Sequence, residues 1–330
     1  MSRMDRLLRP MTWLDILDGA FDLYKTNLAT LLGIVAVVYV PVQGMVILAR
    51  ILFVKGNPTI SGIIDLLYLG LMMVSSFLVM GPSMWAISEA YLGHKISVMT
   101  AYNRMLPRVF PFGLTYLLWV MALLVPYFIG AVIVGIGIGI GIVTHGDSAM
   151  IIVGIAAAVL LGIAAMLVGV GLYVSLIFTC PSFVAEDKRY FAALQRSWSL
   201  IKGYFWRTLG ISLLAFLIIG IVQMVIAIAM SAATGLLKDF ILNPQSVSVG
   251  TPYLIYQTGT MIASIAIEPI WLITIILLYY DLRIRKEGFD LQALAMEMGY
   301  RETERTEPVS TYVEAGPGAS TASEDRPPLE

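Results

Sequence analysis

Little in this 330-residue chain suits a soluble protein or a catalyst. Only 13% of its residues are charged while 58% are hydrophobic, and its mean hydropathy is +0.85, outside the range of soluble globular domains. A single cysteine, Cys180, excludes an intramolecular disulfide. It closes the fourth apolar run, where a thiol on the cytoplasmic side stays reduced, and it reads as a small buried residue. The two histidines, His94 and His145, fall on opposite membrane faces and cannot share a metal. No His/Cys/carboxylate cluster, Ser-His-Asp arrangement or pair of catalytic carboxylates emerges. The expectation is a non-enzymatic chain without metal or cofactor. A secretory signal is also missing: residues 1–27 hold Asp15, Asp18 and Asp22 and lack a short apolar core followed by a cleavage site.

What the chain does have is six long apolar runs, Leu28–Val54, Ile63–Leu92, Phe112–Val143, Ala149–Cys180, Thr208–Leu236 and Leu254–Tyr280. Each exceeds the ~20 residues an α-helix needs to cross a bilayer. All but Arg50, Lys55 and Lys238 of its 21 Lys and Arg residues lie before the first run, in alternate gaps, or after the last. Positive charge stays on the cytoplasmic side during insertion. The expectation is an all-α polytopic protein of the cytoplasmic membrane with both termini inside. Lys55, His145 and Lys238 should face outward, and Lys95, Lys188 and Lys286 the cytoplasm. The chain divides into an interfacial segment (1–27), a transmembrane domain (28–280), a juxtamembrane helix (281–300) and a tail (301–330). The tail carries seven acidic residues against three Arg amid Pro, Gly, Ser and Thr, so it is expected to be disordered.

Amphipathic helices are expected at about 12–26, 188–206 and 290–298, lying in the headgroup layer. Thr12 and Asp15 resemble a capping box. Leu14, Leu17, Phe21 and Tyr24 form one apolar stripe; Phe191, Leu194, Trp198, Ile201 and Phe205 form another, with Trp198 and Phe205 expected to bury aromatic area. Sliding the first segment onto the second aligns Phe21 with Trp198 and Gly33 with Gly210. The gap Ser97–Arg108 is a poorer copy broken by Pro107. Three parallel units follow, each an interfacial helix and a helical hairpin.

Within the spans, Gly135, Gly137, Gly139 and Gly141 recur at helical spacing opposite a Gly154, Ala158 and Gly162 stripe, which favours close packing of the third and fourth spans over a nucleotide loop. Glu268 lies about 18 Å from the inner end of its span at 1.5 Å per residue. A carboxylate there costs at least ~2.5 kcal/mol, so it should face the bundle or a wet cavity. Pro269 follows it and implies a kink. Gln43 and Gln223, at similar depths, are candidates to hydrogen-bond Glu268. This group is either a proton or substrate site or a bond between helices, and the latter is preferred. Arg50 and Asp65 read as a pair at the outer surface.

The densest text faces the cytoplasm: Pro181 to Glu186, Arg196-Ser197-Trp198, Lys202, Arg207, then Tyr279-Tyr280-Asp281-Leu282-Arg283-Ile284-Arg285 and Glu287-Gly288-Phe289-Asp290-Leu291. Arg and Lys meet lipid phosphates, and Trp and Tyr anchor at headgroup depth. Arg196, Trp198, Lys202, Arg207, Tyr280, Asp281, Arg283 and Arg285 are therefore candidate headgroup contacts for anionic phospholipid. These stretches resemble the bacterial family named for the membrane domain of glycerophosphoryl diester phosphodiesterase, over roughly residues 10–300. The resemblance implies a membrane module rather than an enzyme, because the phosphodiesterase chemistry of that family belongs to a separate soluble barrel, and no motif of that barrel follows the sixth span here. Three readings stand: a module that engages lipids or organises a membrane complex, with an unknown protein partner and no nucleic acid; a small-molecule or proton-coupled transporter using Glu268; and, least favoured, a lipid-active enzyme.

Overall fold

The computed structural model describes residues 11–54, 57–143, 148–242 and 250–287. Six of its helices are long and apolar enough to cross a membrane, and no strand occurs among the described residues. The chain is an all-α, multi-pass membrane protein, as a backbone in hydrocarbon requires when every N–H and C=O must be satisfied within its own segment. In chain order the helices are α1 (Trp13–Thr26), α2 (Leu28–Ala49, prolonged by a π turn over Arg50–Val54), α3 (Pro58–Tyr91), α4 (Val98–Met105, then a 3₁₀ turn over Leu106–Arg108), α5 (Val109–Val143), α6 (Ser148–Leu176), α7 (Thr179–Glu186), α8 (Phe191–Ile201), α9 (Phe205–Ala233), α10 (Leu237–Leu242) and α11 (Thr251–Glu287). The positions of Lys55, His145, the 290–298 helix and the tail lie outside the described residues.

Local chemistry sets the boundaries. Thr12 caps α1 in a true capping box: Asp15 N–H donates to Thr12 Oγ1 at 3.2 Å, and Thr12 N–H donates to Asp15 Oδ2 at 2.8 Å. Ser97 caps α4 by the one-way bond alone, accepting from Thr100 N–H. Gly93 and Gly203, both at φ +94°, turn the chain after α3 and before α9, a conformation glycine adopts without a Cβ penalty. The expected 188–206 helix is interrupted by that Gly203 turn, and the fourth span ends at Leu176 before restarting as the short α7.

Three antiparallel hairpins, α2–α3, α5–α6 and α9–α11, make the dominant pairings. The threefold repeat shows in how the interfacial helices seat. A Cβ on Gly33 of α2 would meet Val98, the first residue of α4, at 2.8 Å. One on Gly210 of α9 would meet Trp13, the first residue of α1, at 2.5 Å. Between them, the N–H of Tyr190, just before α8, donates to Thr115 Oγ1 of α5 at 2.9 Å. Each interfacial helix thus docks by its start on a span of another unit, and the two glycines aligned by sequence play the same part.

The interfacial helices are two-faced. On α1 the buried residues are Ile16, Ala20 and Leu23, while Leu14 and Phe21 stay exposed. On α8 they are Ala193, Ser197, Leu200 and Ile201, while Phe191 and Trp198 stay exposed. The expectation that Trp198 buries against the bundle is therefore corrected. Apart from Trp13 at Gly210, small and aliphatic residues grip the protein, and Phe21, Phe191 and Trp198 are left exposed. The α5–α6 contact is built on small residues other than Gly135 and Gly139 of the Gly-Ile run. Gly130 would collide with Ala165 and Gly169 with Tyr127, and Gly162 meets Val134, whereas Gly135, Gly139 and Gly154 face open space.

Burial is concentrated at one end. The principal core joins α1, α3, α5, α7, α8 and α9 around α11, whose residues Leu272–Leu282 are all buried. This end carries the basic segments and is called the basic face below.

Candidate functional site

At the basic face the chain builds two carboxylate hubs. Asp281 of α11 is fully buried. It accepts from Arg207 Nη2 at 2.9 Å and from Arg285 Nε at 3.0 Å. It also accepts the backbone N–H of Met11 at 2.8 Å. Arg207 and Arg285 each return a hydrogen bond of 2.7 Å to the Met11 carbonyl. The segment entering α1 is therefore clasped on both sides of one residue, and the buried charge is matched by donors rather than left uncompensated. Spacing explains part of this: Asp281 and Arg285 are one helical turn apart.

The second hub is Glu186 at the end of α7. Its carboxylate takes a two-point bond from Arg196 (2.8 Å from Nε and 2.8 Å from Nη2) and a 2.5 Å bond from the Tyr279 hydroxyl. Arg196 continues to Glu287 at 2.5 Å, and Arg283 lies 3.5 Å from Glu186 and 3.4 Å from Glu287. Burial works against the charge on Arg196, but its hydrogen bonds to Glu186 and Glu287 outweigh that and raise its pKa above the ordinary guanidinium value. Lys286 donates to the carbonyls of Ser199 and of Lys202, the latter at 3.0 Å, closing the C-terminus of α8. Tyr280 stacks on Tyr91 at 4.9 Å and hydrogen-bonds Ser88 at 2.5 Å.

Of the eight residues marked as headgroup contacts, Arg196, Arg207, Asp281, Arg283 and Arg285 are joined to protein partners in these hubs, and Tyr280 is buried among aromatics. Trp198 and Lys202 are exposed. They share the face with exposed Trp13, Phe110, Phe191 and Trp206. Lys95, Arg104 and Lys188 are likewise exposed, and together with Lys202 they have no ion pair among the described residues. Sequence reading missed the Met11 backbone, Tyr279 and Glu287 as members of the hubs. The Arg283/Glu287 spacing was a visible signal, whereas nothing local announces that Met11 lies on Asp281.

Deep in the spans, Tyr39 of α2 donates its hydroxyl to Glu268 Oε1 at 3.0 Å. Gln223 of α9 bonds Ser264 instead, at 2.8 Å, one turn before Glu268. Gln43 is buried on α2, one turn beyond Tyr39. The expected three-residue cluster is therefore two stacked bridges, α2–α11 through Tyr39 and α9–α11 through Ser264. Pro269 lies within α11, and the Tyr24 hydroxyl of α1 donates to the neighbouring Ala266 carbonyl at 2.7 Å. A proline in a helix disturbs the carbonyls of the preceding turn, so α1 supports the helix where the proline weakens it.

At the opposite face the structure corrects the expected surface pair. Arg50 is 6% exposed, held by Asp65 at 2.5 Å and by the Tyr253 hydroxyl at 2.9 Å. The π turn carries Arg50 inward between α3 and α11, leaving only Asp65 at the surface. Among the described residues, no group of three or more His, Cys, Asp or Glu side chains is placed to hold a metal ion.

A family model described as the membrane domain of glycerophosphoryl diester phosphodiesterase matches residues 149–313, half of the chain. No curated protein matches the chain, and no solved structure does.

Proposed function

The chain belongs to that membrane-domain family, and from this premise we propose that it is a non-enzymatic module of the cytoplasmic membrane, termini inside, that engages anionic phospholipid at its basic face. The observation that carries the reading is a division of labour among cations. Arg196, Arg207, Arg283 and Arg285 are matched by Glu186, Asp281 and Glu287. Lys95, Arg104, Lys188 and Lys202 stand outside those hubs, exposed beside Trp198, Trp206 and Phe191. Aromatic anchors at headgroup depth with unmatched cations suit lipid phosphates. A rigid collar of this kind also suits the assembly of a membrane complex around it.

The test is phospholipid analysis of protein purified in mild detergent, comparing wild type with a variant carrying Gln at Lys95, Arg104, Lys188 and Lys202. Each cation near an anionic surface contributes about 1 kcal/mol, so bound anionic lipid should fall steeply while helicity and monodispersity hold. Equal occupancy in the two proteins overturns the lipid reading. Orientation is checked by single cysteines in a Cys180→Ser background: residue 188 should resist external labelling in intact cells and residue 238 should accept it.

A second reading, transport, is supported by one observation. Glu268 is largely but not fully buried at mid-span beside Tyr39, where a continuously packed bundle would enclose it.

A further inference from the structure

The partners that pack most closely on α11 are α1, α2, α3, α7, α8 and α9; α5 and α6 are not among them. The α5–α6 hairpin is joined to the rest through the inner end of α3, through α7 and α8, and lightly through α9. Towards mid-span the two sides stand apart, and the side chains between them stay partly open: Glu268 on α11, Tyr116 and Trp119 on α5, Tyr173 on α6. The rings form a continuous ladder. Phe77 and Tyr116 are 5.8 Å apart, Tyr116 and Trp119 5.6 Å, and Trp119 and Tyr173 6.3 Å. Tyr116 lies within electrostatic reach of Glu268, and Tyr39, which bonds that carboxylate at 3.0 Å, lies within the same reach of Tyr116.

Two groups there are incomplete. Glu268 has a neutral hydroxyl partner, Tyr39, and no cation pairs with it among the described residues. The indole N–H of Trp119 is buried without an acceptor. A carboxyl group without a counter-ion beside a run of electron-rich rings suits an organic cation: the bound cation favours the ionised carboxylate, and the ring faces attract the cation and shelter its apolar body.

We infer that the space between the α5–α6 hairpin and α11 is a binding site for a hydrophobic organic cation, with Glu268 as counter-ion and Tyr116, Trp119 and Tyr173 as its aromatic wall. The inference rests on the transport reading and names the class of its cargo. Tyr39 orients the carboxylate, and an acceptor on the ligand, or a water entering with it, would complete the Trp119 N–H.

The experiment is equilibrium dialysis of the purified full-length protein against tritiated tetraphenylphosphonium, with uptake into proteoliposomes measured in parallel. Saturable binding is expected. Glu268→Gln should reduce it at least tenfold, and Trp119→Leu should weaken it about three- to thirtyfold, the range of a ring–cation contact. Both variants must retain the wild-type unfolding transition; Glu268→Asp, which keeps the charge, should recover part of the loss if Gln perturbs packing. Absent saturable binding in wild type overturns the inference, as does undiminished binding in a folded Glu268→Gln protein. Undiminished binding in the Gln variant would mark the space as a lipid-like apolar groove. Binding without uptake would sink the transport reading while leaving the site in place. Uptake of another solute, abolished by Glu268→Gln without any cation binding, would do the reverse.

Discussion

The two ends of the α-helical bundle are built on different principles. At the basic end α11 is buried from Leu272 to Leu282, the hub carboxylates Glu186, Asp281 and Glu287 each hold an arginine, and three short helices are fastened over the spans. Towards the other end the same helix is only half covered, large side chains such as Ile255 and Ile262 are exposed, and the buried ion is Arg50, paired with a surface carboxylate. Lipid tails are as apolar as leucine, so exposed side chains cost little in that half and helix contact depends on packing and polar links. The closed end can then fix the geometry while the open end is left to accept a ligand or move. If this contrast is real, equal chemical insults should differ sharply in cost between the two ends.

The largest effect belongs to Asp281. Asp281→Ala strands Arg207 and Arg285 and frees the Met11 backbone, and loss of one partner from a buried charge cluster costs about 3–5 kcal/mol. Thermal unfolding in detergent should show a large fall or loss of folded protein. Asp65→Ala should cost less: buried Arg50 keeps the Tyr253 hydroxyl and ring, and water or headgroups can reach the place of a carboxylate that is 54% exposed. Equal losses at the two sites would erase the distinction between the ends.

Next come the docking glycines. Gly210→Val drives a side chain into Trp13 and Gly33→Val into Val98, overpacking worth about 1–3 kcal/mol. Gly44 and Gly220 meet nothing within 4 Å, and Val there should be near neutral. Comparable destabilisation at Gly33 and Gly210 would affirm that the repeat units seat their interfacial helices alike. If Gly44→Val proved as harmful, the open half would be packed after all.

A subtler link joins the two halves. Tyr24→Phe removes the hydroxyl that holds the Ala266 carbonyl beside Pro269, a change of about 0.5–1.5 kcal/mol. Hydrogen exchange should rise locally around residues 262–270 and hardly elsewhere. Uniform exchange would separate the N-terminal helix from the kink.

Much of this architecture was legible because hydrophobic run length and charge alternation are local signals. The six spans, the Thr12/Asp15 capping box and the Gly33/Gly210 correspondence all belong to that class. What escaped was pairing at long sequence separation. The stripe containing Trp198 was correctly read as apolar, but periodicity cannot say whether an apolar face meets protein or stays exposed, and here Phe191 and Trp198 stay exposed. Gln223 was matched to Glu268 by depth alone, whereas helix rotation turns it to Ser264. Arg50 was taken as superficial because nothing in a sequence window reveals that a π turn carries it inward.

The smallest expected effect sharpens the same lesson within two residues. Arg283 and Arg285 look alike in sequence, and both were marked for lipid. Arg285 holds the fully buried Asp281 at 3.0 Å and the Met11 carbonyl at 2.7 Å. Arg283 approaches Glu186 at 3.5 Å and Glu287 at 3.4 Å, and both carboxylates keep Arg196 when it is removed. Its Cζ also lies 5.8 Å from the Tyr279 ring centre, a contact glutamine would partly keep through packing. Because Arg196 stays on both carboxylates, Arg283→Gln should cost less than Arg285→Gln, which leaves the fully buried Asp281 with one arginine fewer. Matched unfolding curves for the two single variants decide the point. Equal stability would mean that the Asp281 hub does not organise the N-terminal segment. A larger loss at Arg283 would move the organising centre to Glu186. With the predicted ranking, a double charge reversal at 283 and 285 tests folding rather than lipid binding, so the phospholipid experiment belongs to Lys95, Arg104, Lys188 and Lys202.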